Sequence, residues 1–172
     1  MGSLFPRISG DGRYIVGITK IAGSGTLEEM ELEEIFIYDR ITGYSSVVSV
    51  APDGTPGNRD SGSPFISLDG RYVVFTSEST NLVSNDTNTA WDIFILDRQT
   101  GQMNRVSVGF EGNQANGHSN SPSVSADGRY VVFSSTSTNL VRDDTNQYED
   151  VFIYDRETGE TIRIKPQPSG CK

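Results

Sequence analysis

An all-β fold of three four-stranded antiparallel units follows from three observations. The tetrapeptide Asp-Gly-Arg-Tyr begins at Asp11, Asp69 and Asp127, an interval of 58 residues each time. The same interval separates Pro6, Pro64 and Pro122, Ser9, Ser67 and Ser125, and Asp39, Asp97 and Asp155, each Asp being followed by Arg. Positions 67–108 and 125–166 are identical at 25 of 42 sites, so one structural unit has been duplicated in tandem. Four-stranded units that stack so that neighbours cover each other define a β-propeller. A solenoid would use shorter repeats, and a sandwich has no need of identical ones. The blades run over about 4–50, 62–108 and 120–166, with a tail at 167–172.

Each blade reads as four short strands. The first is brief, Pro64–Ser67 in the second blade and Pro122–Ser125 in the third. Asp-Gly follows, a hairpin dipeptide in which glycine supplies the positive φ. The second strand is Tyr72-Val73-Val74-Phe75, with Tyr130–Phe133 and Tyr14–Gly17 as its counterparts. Strand side chains alternate faces, so a run without polar interruption is buried on both, as between two neighbouring blades. The third strand is Ile93–Leu96, matched by Ile35–Tyr38 and Val151–Tyr154, and Thr-Gly then turns the chain. The fourth, Gln102–Val108, alternates polar with apolar as an outer edge strand does.

Composition narrows the function. The chain has 172 residues, 18 glycines and 34% hydrophobic residues, which suits a turn-rich all-β domain with no room for a separate catalytic domain. No run approaches the roughly 18–20 apolar residues that span a bilayer, so membrane insertion is not expected. Met1–Pro6 lacks the basic and apolar regions of a signal peptide. A net charge of −9 argues against nucleic acid, whose binders cluster Lys and Arg. Cys171 is the only cysteine, which leaves no internal disulfide and reads as an exposed thiol.

SLDGRYVVFTS followed by DIFILDRQTG, and SADGRYVVFSS followed by DVFIYDRETG, resemble the WD-repeat-like units of the TolB propeller family over essentially the whole chain. The resemblance implies a ring of about six blades, of which this chain supplies three. It also implies a periplasmic or extracellular setting. Propellers of this type serve as interaction modules and as accessory domains of peptidases and carbohydrate-active enzymes. The inserts TNLVSNDTNTAW and TNLVRDDTNQYE are longer than in the simplest TolB unit. Three blades leave two apolar faces open, so a six-bladed homodimer related by a two-fold axis is expected, with an open filament as the alternative.

Antiparallel order puts the tight Asp-Gly and Thr-Gly turns on one rim and the long connections on the other. The long connections are Ser77–Trp91, Ser135–Glu149, Pro52–Ser63 and Glu111–Ser121. Binding residues concentrate on such loops. The candidates are Asn58, Asp60, Trp91, Asn116, His118, Asn120 and Tyr148, of which Trp91 and Tyr148 could stack on a sugar or a peptide, or pack on the neighbouring blade. Asp86-Thr87-Asn88 with Asp92, and Asp144-Thr145-Asn146 with Asp150, have the spacing of the start of a calcium loop. Asx-turns explain the same residues without a metal. Asp-Gly-Arg and the later Asp recur in every blade, which marks an Arg–Asp brace such as Arg71 with Asp97 and not a catalytic group. His118 is the only histidine and stands where the second blade has Asp60. The acidic run Glu28–Glu34 reads as a solvated loop.

The expected function is a non-enzymatic binding or scaffold propeller, without cofactor, whose loop-rich rim meets a protein or glycan. The alternatives are an accessory propeller of a larger hydrolase or peptidase lacking its catalytic domain, and an engineered or duplicated repeat protein without ligand.

Overall fold

The computed structural model describes residues 5–22 and 31–165. Three sheets of four antiparallel strands follow one another along the chain. The first contains β1 (Arg7–Ile8), β2 (Tyr14–Ala22), β3 (Glu31–Asp39) and β4 (Tyr44–Val47). The second contains β5 (Ser61–Ile66), β6 (Tyr72–Ser77), β7 (Asp92–Asp97) and β8 (Gln102–Arg105). The third contains β9 (Ser119–Val124), β10 (Tyr130–Ser135), β11 (Asp150–Asp155) and β12 (Glu160–Ile164). Strand order follows chain order in every sheet, so each is a complete blade.

The turn rim is built as its sequence dictates. Gly12, Gly70 and Gly128 have φ of 71°, 72° and 74°, the left-handed conformation that a side chain disfavours. The Ser67 hydroxyl donates to Asp69 and accepts the Tyr72 N–H, while Asp69 accepts the Arg71 N–H at 2.9 Å. Arg71 then grips Asp97 through Nε at 2.9 Å and Nη2 at 2.6 Å, and Arg13–Asp39 and Arg129–Asp155 repeat the pair. The expected brace therefore ties the second strand to the third in all three blades.

The core lies between the blades. Val16, Ile18, Ile35 and Ile37 of the first face Ile66, Val73, Phe75 and Phe94 of the second. Tyr72, Val74, Ile93 and Ile95 on the other face of the second meet Val124, Val131, Phe133 and Phe152 of the third. All six residues of β6 are buried, since it alone among the second strands has a blade on each side. Phe75–Phe94 and Phe133–Phe152 stack with ring centroids 5.9 Å apart.

Three expectations need correction. β5 and β9 begin at Ser61 and Ser119, before the expected Pro64 and Pro122, so the preceding loops are shorter. Their added residues are Ser, Gly and Asn, which carry no apolar signal and extend only because β6 and β10 pair with them. The fourth strand of the second blade ends at Arg105, and Val108 makes only an isolated bridge to Gln114. Glu31–Glu34 belong to β3, and Glu34 is wholly buried; residues 28–30 of that acidic run lie outside the described residues, as does Cys171.

Candidate functional site

The rim opposite the tight turns carries the long connections, and hydrogen bonds fix them in place. Asn58 donates to Thr80 Oγ1 at 3.0 Å and accepts the Thr80 N–H at 2.9 Å, while its own N–H donates to Asn81. Asn116 makes the same three bonds with Thr138 and Asn139. Both amides are thus committed to clamping one blade's entry loop to its second connection.

Asp60 and His118 share a second repeated role. Asp60 Oδ1 accepts the Glu33 N–H at 2.9 Å, and His118 Nδ1 accepts the Trp91 N–H at 3.0 Å. Glu33 and Trp91 are equivalent positions of successive blades, so each bond latches a blade to the one before it. An imidazole replaces a carboxylate here because both present a lone pair at that point. The Ser119 N–H donating to the Trp91 carbonyl at 2.7 Å completes the latch. Asn120 is exposed on β9, and its carbonyl accepts from the Ser134 hydroxyl.

The aspartates with calcium-loop spacing converge on arginines. Asp86 lies 3.1 Å and Asp92 3.6 Å from Arg105 Nη1, with both carboxylates and the guanidinium almost fully buried. Asp144 and Asp150 lie 2.7 Å and 3.2 Å from Arg163 Nη1. Asn146 donates to Asp150, whereas Asn88 donates to the Ala115 carbonyl. A guanidinium from the fourth strand therefore supplies the positive charge between these carboxylates. Among the described residues, no group of three or more His, Cys, Asp or Glu is arranged to hold a metal ion. Burial pushes the Asp86 and Asp92 carboxyls up, and Arg105 and, at Asp92, the Ser107 hydroxyl pull them back.

The first blade lacks that arginine. Val47 stands at the position of Arg105, and Glu34 at that of Asp92. The Ser49 hydroxyl donates to Glu34 Oε2, and Oε1 has no hydrogen-bond partner among the described residues. Burial raises the Glu34 carboxyl to about 7 despite the serine bonds. Its buried position was not legible in a run of glutamates; the missing arginine at Val47 was the available signal.

Among the described residues Phe110, Trp91 and Tyr148 are aromatics of this rim, and Phe110 is 44% exposed with Arg142 3.8 Å from its ring centre. Trp91 is half-buried beside His118, and Tyr148 is 75% exposed on a loop whose backbone is held by Asn146 Oδ1. A further feature lies on the inner strands. Phe5, Ser63 and Ser121, each just before a repeated proline, have positive φ of 35°, 48° and 55°. In β5 and β9 the register shifts there, and together with Arg7, Phe65 and Ser123 these residues line one recess where the three first strands meet. Positive φ in a residue other than glycine stores strain, which structures keep where a bulge re-aims side chains. Only the spacing of the prolines signals it in the sequence.

The comparisons agree with this geometry. TolB from Acinetobacter baumannii superimposes with a TM-score of 0.57 at 21% identity, covering 96% of this chain and 33% of that one. The β-propeller domain of the trilobed protease from Pyrococcus furiosus gives 0.59 at 15% identity, covering 95% and 42%. An oligogalacturonate lyase in complex with manganese gives 0.60 at 17% identity, covering 98% and 42%. The chain thus has a TolB-like propeller fold and spans a third to two-fifths of the length of these neighbours. No protein-family model and no curated protein matches it.

Proposed function

We propose that this chain is a non-enzymatic binding propeller whose loop-rich rim presents Trp91, Tyr148 and Asn120 to a protein or glycan, in a ring completed by a second copy. The carrying observation is Tyr148, a large aromatic left exposed on a loop tied down by hydrogen bonds and ion pairs among Asp144, Asn146, Asp150 and Arg163. A preset aromatic stacks on a sugar face or a peptide side chain with little ordering cost. The Arg71–Asp97 pair recurs in all three blades as a brace, and His118 fills the latch role that Asp60 has one blade earlier. A periplasmic or extracellular setting belongs to the same reading.

The test is binding of the labelled chain to glycan and peptide arrays, compared with a Trp91→Ala/Tyr148→Ala variant. Signals that the double variant loses support the reading. Signals equal in both, or none, count against it.

A second reading, an accessory propeller of a larger hydrolase or peptidase, draws on propellers of the trilobed protease, the tricorn protease and acylaminoacyl peptidase among the structural neighbours. Deleting this segment from such a parent and assaying cleavage would separate the two.

A further inference from the structure

The two internal blade junctions share one contact that the third junction leaves half-made at each end. Tyr14 of the first blade lies against Gly70 in the turn of the second, so that a Cβ at Gly70 would run into the ring. Arg13 lies 4.8 Å and Arg98 3.9 Å from the centre of that ring, and Arg98 also donates to the Gly70 carbonyl. Tyr72 repeats the arrangement with Gly128, Arg71 at 4.8 Å and Arg156 at 4.4 Å. Arg156 donates to the Gly128 carbonyl at 2.7 Å. A glycine is needed at these turns twice over, for its φ and for the room it leaves the tyrosine.

The chain carries one unused copy of each half. Tyr130 of the third blade has Arg129 4.9 Å from its ring centre, and no second arginine covers it among the described residues. In the first blade, Arg40 donates to the Gly12 carbonyl at 3.0 Å, as Arg156 does to Gly128. Beside a Cβ placed at Gly12, however, only Ile8 comes within 4 Å among the described residues, so no tyrosine of those residues occupies that socket.

The surrounding faces follow the same rule. Val74, Ile93 and Val106 are wholly covered by the third blade, whereas their counterparts Val132, Val151 and Ile164 are 37%, 44% and 42% exposed. On the opposite face Ile66 is 4% exposed, and its counterpart Ile8 is 58%.

We infer that Tyr130 of one chain seats on Gly12 and beneath Arg40 of a second copy, twice per ring, closing two chains into a propeller. This rests on the second-copy reading above and names the contact that makes it. A heterologous contact of this kind closes when its rotation divides the circle and otherwise propagates. Gly17 stands where the second blade has Phe75 and pairs with Phe36, which with Thr19 and Tyr38 lines an open recess of the first blade.

The test is sedimentation equilibrium of the full chain, with far-UV circular dichroism as the fold check, for the wild type, Tyr130→Ala, Tyr130→Phe and Arg40→Ala. The wild type should have a mass of twice 18.8 kDa. Tyr130→Phe should keep that mass, since the ring still stacks. Tyr130→Ala and Arg40→Ala, folded, should dissociate with a Kd raised roughly a hundredfold, because a lost aromatic or arginine anchor is felt twice. A wild-type dimer indifferent to both alanine variants overturns this contact while leaving a second copy in place. A folded wild-type monomer, or species that grow with concentration, overturns the closed ring altogether.

Discussion

His118 accepts the backbone N–H of Trp91 through Nδ1 at 3.0 Å, just as Asp60 accepts that of Glu33 one blade earlier. The position asks for an acceptor of the right reach, and the residue type is secondary. His118→Asp should therefore leave stability within a few tenths of a kcal/mol, whereas His118→Leu strands the Trp91 N–H and should cost about 1 kcal/mol. Chemical denaturation of the two variants measures the difference.

Arg105 neutralises two buried carboxylates. Arg105→Met should destabilise by about 3–5 kcal/mol, since it leaves Asp86 and Asp92 buried without a countercharge. Arg163→Met should cost less, because Asp150 is partly exposed and can be hydrated. Since a guanidinium already fills this place, millimolar calcium should not change the melting temperature of the wild type. Thermal scans with and without calcium check both statements.

Glu34 and Asp97 make opposite contributions to pH dependence. Burial raises the Glu34 carboxyl to about 7, so the folded state holds its proton more tightly than the unfolded chain. That contribution is full below about pH 4.5 and is lost as pH rises to about 7. Arg71 holds Asp97 down at about 2, so its contribution is present above about pH 4 and is lost as pH falls through 2. Stability should peak near pH 4–5, and Glu34→Gln should flatten the decline on the neutral side. Melting temperatures of both proteins from pH 3 to 9 test the sign; a wild type most stable at pH 8 would contradict it.

What was legible in the sequence was whatever the repeat states locally. The Asp-Gly and Thr-Gly turns, the second and third strands and the Arg71–Asp97 brace all declare themselves by residue type, and each occurs three times. The starts of β5 and β9 do not, because Ser61, Gly62, Ser119 and Asn120 become strand only through pairing with the next strand. Nor does the role of Arg105 and Arg163, since the carboxylates they meet lie 13 to 19 residues away across a loop. Spacing shows the aspartates but not the guanidinium that they face. Glu34 was hidden for the opposite reason: its neighbours in sequence are acidic, while its neighbours in space are serines and apolar core.

Trp91 lies on the loop-rich rim and is the only tryptophan in the chain. Its emission therefore reports on that rim without a label. The most direct measurement is a titration of wild-type and Tyr148→Ala protein with the glycan or peptide that the arrays select, followed by Trp91 fluorescence. A saturable change in intensity or wavelength, with affinity weakened roughly tenfold or more in Tyr148→Ala, is the result expected for stacking on the rim. Binding that leaves Trp91 emission untouched and is indifferent to Tyr148 would place the ligand elsewhere on the propeller and contradict the account.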